Sequence, residues 1–152
     1  MYKRQTLSTG IISTIAGTGT AGYSGDNGQA TAAAMSCPTS ISFDSTGNIY
    51  ISEIGNNVIR RITSAGLIQT FCGTGSQGYN GDNRPCTSAL LSRPAVIRHD
   101  SSNNLYISEW ENFRVRKVGT NSQITTFAGN GDQGFGSAGD GCLLYTSPSP
   151  RD

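Results

Sequence analysis

An internal repeat of 56 residues constrains the fold of this chain more than any other feature. Residues 10–65 align without a gap on residues 66–121, and 25 of the aligned positions are identical. A third, partial copy covers residues 122–141. A period of this size predicts that similar structural units pack side by side, because one such unit cannot bury its own apolar faces.

Each complete unit contains four short apolar segments separated by turn-forming residues. In the first unit they are residues 39–43, 48–53 (NIYISE), 58–62 (VIRRI) and 67–71 (LIQTF). The NIYISE segment shows little polar alternation, which indicates burial on both faces. The sequence therefore predicts an all-β fold, a β-propeller fragment of about two four-stranded blades. A β-solenoid and an open sandwich are the alternatives that the pattern leaves open.

A Gly-rich segment recurs in every unit, as GTGTAGYSGD from Gly17, GTGSQGYNGD from Gly73 and GNGDQGFGSAGD from Gly129. Its first copy spells GxGxxG, the fingerprint of dinucleotide-binding loops. That fingerprint binds a cofactor only where a helix follows, and here YSGDNG follows Gly22. We therefore predict no cofactor, and we interpret the glycines as positions that need a positive φ where one blade leads to the next.

The two ends of the chain are interpreted as translated sequencing adapter. With GTG read as a start codon, residues 1–5 (MYKRQ) can be encoded by GTGTATAAGAGACAG. The reverse complement of that string encodes CLLYT, the start of residues 142–152. Two natural termini have no reason to be related in this way. Residues 6–141 are therefore predicted to be a fragment of a longer protein, and both ends are left out of the fold prediction.

The charge of the chain is nearly balanced, with 11 Lys and Arg against 10 Asp and Glu. This balance gives no electrostatic reason to expect a nucleic-acid partner, and no apolar run is long enough to span a membrane. Basic residues recur in the third segment of each unit. We expect them on an outer, solvated strand: Arg60, Arg61, Arg116 and Lys117.

The three cysteines outside the adapter are Cys37, Cys72 and Cys86, and no CxxC pair indicates zinc. Cys72 and Cys86 flank the second Gly-rich loop and could form a disulfide. The first unit has Ala16 and Ala30 at the equivalent positions. Buried free thiols are therefore the preferred interpretation, and the compartment is left undetermined.

The unit resembles the NHL repeat, in the long Gly-rich variety seen in teneurin-like propellers. The resemblance covers nearly all of residues 6–141, although no Asn-His-Leu triplet occurs. NHL propellers typically have six blades, so the resemblance implies a parent domain about three times longer. It is carried by GTGxxGYxGDN, the following proline, and then Asp44, Asn48, Tyr50 to Glu53, Asn56 and Arg60.

Several polar residues invite a chemical role. Asp26, Asp82 and Asp140, the last of which lies outside the residues that the structure describes, could hold calcium. One carboxylate per loop is few, so we expect each to accept from amides of its own turn. Glu53 and Glu109 repeat at equivalent positions, which favours a structural role or a ring of ligands over an acid/base pair. We therefore predict neither a metal site nor catalytic residues.

His99 aligns with Phe43 and is expected to pack between blades.

Strand connections alternate between the two ends of a meander, so the Gly-rich loops and the loops between second and third strands should share one face. Binding residues usually lie on the longer loops of a rigid scaffold. We predict a ligand-binding face that carries Tyr23, Asp26, Glu53, Asn56, Tyr79, Asp82, Glu109, Trp110 and Asn112.

These observations favour a non-catalytic binding or interaction scaffold whose ligand is a protein or a carbohydrate. Two alternatives stay open: a propeller enzyme similar to the metal-dependent lyases, which use histidine ligands, and an extracellular sensor domain of a receptor. Residues 6–141 expressed alone are predicted to self-associate, because two blades leave outer faces uncovered.

Overall fold

The structure, a computed structural model, describes the backbone course of residues 2–5 and the full atomic arrangement of residues 10–133. These residues are almost entirely strands, turns and loops. The helical content among them is limited to two 3₁₀ turns, Ala30–Ala32 and Cys86–Ser88. None of the helices in this part of the chain is long and apolar enough to cross a membrane.

The first repeat unit forms a four-stranded antiparallel meander, called sheet 1 below. Two further strands precede it: β1, of which only the backbone is described, pairs antiparallel with β2. The strands of this half of the chain are β1 (Tyr2–Gln5), β2 (Ile12–Ala16), β3 (Pro38–Phe43), β4 (Ile49–Glu53), β5 (Val58–Ile62) and β6 (Ile68–Cys72).

The second unit forms sheet 2 with the same meander and one additional short strand. That strand, β7, runs along the outer edge of β11 and pairs Pro85 with Gln123. Sheet 1 has the equivalent contact as an isolated bridge between Gln29 and Leu67. The strands are β7 (Arg84–Pro85), β8 (Pro94–His99), β9 (Leu105–Glu109), β10 (Arg114–Val118) and β11 (Gln123–Ala128).

The two sheets pack face to face, as the predicted burial of both faces requires. Tyr50 and Ile59 of sheet 1 lie in one apolar cluster with Ile97, Leu105 and Ile107 of sheet 2. A second cluster lies on the other face of sheet 1 and includes residues of β2 and of the first 3₁₀ turn. Sheet 1 is therefore covered on both sides by its neighbours along the chain, and the prediction of two four-stranded blades is confirmed.

The strands β3 and β8 lie side by side at one edge of the packed sheets. The backbone N–H of Ile97 donates to Ser40 Oγ at 3.2 Å, and the backbone N–H of His99 donates to Ser42 Oγ at 3.0 Å. Serine hydroxyls thus satisfy amides that have no partner strand of their own. This contact fixes which residues of the two blades face each other.

The recurring glycines are explained by close backbone approach. Gly73 has a φ of 96°, and a Cβ there would lie 2.5 Å from the carbonyl oxygen of Asn57. Gly129, one repeat later, has a φ of 85° and would collide in the same way with the carbonyl of Phe113. Only glycine fits where the connecting loop crosses the loop between second and third strands.

The cysteine prediction is wrong, because Cys72 and Cys86 form a disulfide, with their Cα atoms 4.7 Å apart. The repeat explains why the two residues meet. Ala16 and Ala30 occupy the equivalent positions in the first unit, and both are buried where Gly17 N donates to Ala30 O at 2.9 Å. Two small residues face each other at this point of each unit, so two cysteines there are close enough to bond. Cys37 is a free and exposed thiol, not a buried one.

Candidate functional site

The residues nominated from sequence in the first unit meet around the side chain of Arg60, which is fully buried. Arg60 Nη2 donates to Asp26 Oδ1 at 2.6 Å, and Arg60 Nη1 donates to Glu53 Oε1 at 3.3 Å. Asn56 Nδ2 donates to Glu53 Oε2 at 2.5 Å and also to the carbonyl of Gly22 at 2.8 Å. The Gly-rich loop is thereby joined to strands β4 and β5.

The second unit repeats this arrangement around Arg116, which is also fully buried. Arg116 Nη2 donates to Asp82 Oδ1 at 3.0 Å, and its Nη1 lies 3.7 Å from Glu109 Oε2. Asn112 Nδ2 donates to Glu109 Oε2 at 2.9 Å and to the carbonyl of Gly78 at 2.8 Å. The recurrence in both blades identifies a loop-to-sheet connection that belongs to the repeat itself.

Two expectations about these residues are wrong. Arg60 and Arg116 do not lie on a solvated outer strand, since both are fully buried. Asp26 and Asp82 accept from those guanidinium groups and not from amides of their own turns. A buried guanidinium needs carboxylate partners, and the loop aspartates together with the strand glutamates supply them.

Burial dominates the electrostatics of the two glutamates. It raises the pKa of Glu53, against the lowering effect of hydrogen bonds from Ser36 and Asn56 and of the charge on Arg60. Burial likewise raises the pKa of Glu109, opposed by Asn112 and Arg116. Both side chains are inaccessible to solvent, so a ligand cannot reach them without displacing the Gly-rich loop.

The two nominated tyrosines cover the buried arginines from outside. The guanidinium carbon of Arg60 lies 5.3 Å from the ring centre of Tyr23, and that of Arg116 lies 4.9 Å from the ring centre of Tyr79. Tyr23 Oη also contacts Thr70 Oγ1 at 2.6 Å. Both tyrosines are partly exposed, and Tyr79 also packs against Arg114, whose guanidinium carbon lies 4.1 Å from the ring centre.

Trp110 differs from the other nominated residues because it takes no part in either arginine cluster. Its side chain is 64% exposed, and its backbone N–H donates to the carbonyl of Arg93 at 3.1 Å. Beside it, Arg93 Nε pairs with Glu111 Oε1 at 3.1 Å, and Phe113 is exposed. The structure therefore presents one large aromatic ring on a fixed turn, bordered by an ion pair.

We call this end of the molecule the loop face: the Gly-rich loops of residues 17–28 and 73–83 with the turns of residues 54–57 and 110–113. The contacts of Asn56 with Gly22 and of Asn112 with Gly78 place these loops against one another. All nine nominated residues lie in this region or directly beneath it. Eight of them contribute to the arginine clusters, and Trp110 projects from the surface.

His99 packs between the blades, as its alignment with Phe43 predicts. Its Nδ1 lies 2.9 Å from Ser42 Oγ, and its ring centre is 4.5 Å from that of Tyr50. Burial lowers the pKa of His99, although the charges of Asp44 and Asp100 act in the opposite direction. Among residues 10–133, no group of three or more His, Cys, Asp or Glu side chains is arranged to hold a metal ion.

Sequence reasoning missed a cleft that opens next to His99. It lies at the end of the sheets opposite the loop face and is lined by Asp44, Arg61 and Asn103 as well as by apolar residues. The cleft is indicated in the sequence by differences between equivalent residues of the two units. His99 replaces Phe43, and Asn103 replaces Gly47, so the chemistry of this cleft lies where the two units differ.

Solved structures with similar folds were found, but no family model matches the chain. A protein of unknown function from Bacteroides thetaiotaomicron is 23% identical with a TM-score of 0.65, and the match covers 86% of this chain and 31% of that one. An auxiliary nutrient binding protein from the same organism is 24% identical with a TM-score of 0.57, covering 82% and 31%.

A third similar structure is a virginiamycin B lyase from Staphylococcus aureus, 28% identical with a TM-score of 0.44, where the match covers 60% of this chain and 27% of that one. The chain thus spans about a third of the length of the structures that it matches. Together with the two packed meanders, the matches to the two Bacteroides proteins show that the chain is a fragment of a β-propeller.

Proposed function

We propose that this chain belongs to a non-catalytic binding scaffold, and that its loop face binds a carbohydrate or a protein through Trp110. The exposure of Trp110 is the observation that carries the proposal. The indole ring is 64% exposed, so a ligand can reach it. Aromatic side chains on rigid turns are common anchors at binding surfaces.

The surroundings of Trp110 support this role. The turn is held by the hydrogen bond to Arg93 and by Asn112, whose amide joins the turn to Gly78. Little conformational entropy is therefore lost when the ring is covered. The adjacent pair of Arg93 and Glu111 offers polar groups that can bind hydroxyls or peptide groups at the rim of the aromatic contact.

Trp110 is the single tryptophan of the chain, so its fluorescence reports directly on the proposed site. Titration with soluble oligosaccharides of hexoses, pentoses and amino sugars should shift its emission to shorter wavelength in a saturable way. For a protein ligand, a photoreactive residue at position 110 of the full-length protein should form cross-links to the partner. The same residue at position 45, at the opposite end of the sheets, should form none and serves as the control.

The matched control is Ile54, which occupies the position of Trp110 in the first unit. Trp110→Ala should abolish binding measured by calorimetry, whereas Ile54→Ala should leave it intact. Ligand binding that survives Trp110→Ala at full strength would contradict the proposal. A thermal melt of each variant shows whether a loss of binding reflects a loss of folding.

A lyase-like enzyme is the alternative that the sequence left open, and the placement of His99 gives it no support. His99 lies between the sheets with Nδ1 against Ser42, at the end opposite the loop face. An extracellular sensor domain of a receptor is favoured by one observation, the disulfide between Cys72 and Cys86, because such bonds persist in oxidising compartments. A membrane span or a kinase domain in the same reading frame would favour it further.

We also propose that residues 6–141 are part of an NHL-type propeller with six blades, and that residues 1–5 and 142–152 are translated adapter. The conserved arginine clusters and the closely repeated meander support a longer array of similar units. Recovery of the complete open reading frame tests this directly. A genomic sequence that encodes residues 1–5 and 142–152 next to the repeats would overturn the assignment of the ends.

A further inference from the structure

The cleft between the two blades has a volume of about 200 Å³ and lies at the end of the sheets opposite the loop face. Its floor is apolar, since Tyr50, Leu105 and Val118 line it and all three are buried. Its rim carries the polar side chains of Asp44, Arg61, His99 and Asn103. Both blades contribute, so the cleft exists only where these two units pack together.

The carboxylate of Asp44 is fully used by its own turn. It accepts from the backbone and side chain of Thr46, from the backbone and side chain of Asn48, and from Tyr50 Oη at 3.3 Å. These donors occupy both carboxylate oxygens, while the negative charge remains and acts on His99. Asp44 therefore has no free oxygen to offer a ligand at the rim.

Arg61, in contrast, keeps a positive charge that no carboxylate neutralises. None of the ion pairs formed within residues 10–133 includes it. With its amide oriented to accept, Gln69 receives Arg61 Nε at 3.1 Å and also Arg61 Nη2, and Arg61 is hydrogen-bonded to the hydroxyl of Tyr50. The guanidinium carbon lies 5.9 Å from the ring centre of Phe71. A guanidinium has five N–H donors, so donors beyond those facing Gln69 and Tyr50 remain for a ligand.

The imidazole of His99 supplies a second donor. Ser42 Oγ accepts the backbone N–H of His99 and lies 2.9 Å from Nδ1. In the neutral tautomer that accepts the Ser42 hydroxyl at Nδ1, the proton is on Nε2 and can be donated to a ligand. Burial favours that neutral form by lowering the pKa of His99, while Asp44 and Asp100 oppose the shift.

We propose that the cleft binds a small organic carboxylate, which accepts hydrogen bonds from Arg61 and from His99 Nε2 while its short apolar body covers the floor. The volume is below that of sites for drug-sized ligands, which limits the ligand to a short acid. An arginine is the residue best suited to a carboxylate, because it can donate two parallel hydrogen bonds. This site is separate from the loop face and does not depend on the function proposed for it.

The two units differ at the polar positions that line the cleft. The first unit has Phe43 at the position of His99, and the second unit has Lys117 at the position of Arg61. Lys117 lies on the other side of sheet 2, with its Nζ 5.8 Å from the ring centre of Tyr106. It therefore serves as a matched control for the charge on Arg61.

His99 is the single histidine of the chain, so its imidazole signals in NMR spectra report on the cleft without ambiguity. Titration of the full chain with sodium acetate, butyrate and benzoate should give saturable shifts of the His99 Cε1–H resonance. The corresponding amides, acetamide, butyramide and benzamide, should bind at least about tenfold more weakly, because they lack the charge that a guanidinium stabilises.

Arg61→Gln should raise the Kd for butyrate by about tenfold or more, while Lys117→Gln should leave it unchanged. His99→Gln, read out by calorimetry, should weaken binding to a smaller extent, and the thermal melt of each variant confirms folding. The proposal is overturned if the shifts grow linearly with concentration, if the amides bind as well as the acids, or if Arg61→Gln and Lys117→Gln bind butyrate equally.

Discussion

Arg60 Nη2 lies 2.6 Å from Asp26 Oδ1, and this contact joins the Gly-rich loop that enters a blade to the third strand of the same blade. The contact recurs between Arg116 and Asp82 at 3.0 Å. A loop that is rich in glycine loses much conformational entropy when it is ordered. The charged contact joins a fully buried arginine to a partly exposed aspartate and offsets part of that loss in each unit of the repeat.

Removing Arg60 should strongly destabilise the fold. In Arg60→Met, the buried carboxylate of Glu53 loses its cation, and we expect a loss of about 3 kcal/mol in the free energy of unfolding, measured by urea denaturation. The double variant Arg60→Met with Glu53→Leu should recover part of that loss, because no charge then remains buried. Arg61→Met, at the adjacent and half-buried position, is the control, with an expected loss below about 1 kcal/mol.

The disulfide should contribute measurably to stability. A bond that closes a loop of about 15 residues stabilises a fold by about 3 kcal/mol, and Cys72 and Cys86 are separated by 14 positions. The double variant Cys72→Ala with Cys86→Ala reproduces the residues of the first unit, Ala16 and Ala30, so it should fold with no steric conflict. Its urea midpoint should match that of the reduced wild type and lie below that of the oxidised protein. Equal midpoints for all three would contradict the prediction.

Asp44 should make stability depend on acid pH. Burial acts to raise the pKa of Asp44, but hydrogen bonds from Asn48 and Thr46 outweigh it and lower the pKa from 3.8 to about 2. Because the folded pKa is below the unfolded one, the stabilisation is present above pH 3.8 and is lost as the pH falls towards 2. The difference in Tm between wild type and Asp44→Asn should therefore be largest near neutral pH and shrink between pH 4 and pH 2. A difference that stays constant across this window would exclude the carboxylate as its cause.

The strands and their order could be predicted from the sequence because the repeat supplies two copies of each pattern. The segment NIYISE is buried on both faces in the first unit, whereas NLYISE in the second unit alternates between buried and half-buried residues. Short apolar runs between turn residues leave few other folds. The glycines of the connecting loop could be assigned to backbone geometry for the same reason. Periodicity, turn residues and glycine positions are local properties, so one sequence is enough to recognise them.

The polar clusters could not be predicted, because they depend on contacts between distant parts of the chain. Asp26 and Arg60 are 34 positions apart, and nothing local to the third strand shows that its arginine is buried rather than solvated. The sequence does not predict the disulfide, because Ala16 and Ala30 at the equivalent positions argue against a conserved pair, whereas in the structure they mark two positions that face each other. The cleft beside His99 was missed because it forms between units, at positions where the repeat is broken.

The face of sheet 2 that points away from sheet 1 corresponds, one repeat later, to the face of sheet 1 that sheet 2 covers. Tyr106 and Phe127 pack edge to face with ring centres 4.9 Å apart, as Tyr50 and Phe71 do in sheet 1. Sheet 2 covers Tyr50, which is 5% exposed, whereas Phe127 is 61% exposed. Nothing among the described residues covers Phe127, so this face is suited to receive another blade.

Residues 6–141 expressed alone should therefore self-associate through this face, since an exposed apolar sheet surface is unfavourable in water. Sedimentation velocity should show dimers or larger species, and Phe127→Glu should shift the distribution towards monomer because it places a charge in the contact. Trp110→Glu is the matched control, because Trp110 is comparably exposed but lies on the loop face, away from the outer faces of the sheets. A wild-type fragment that remains monomeric and melts cooperatively would show that two blades need no further cover.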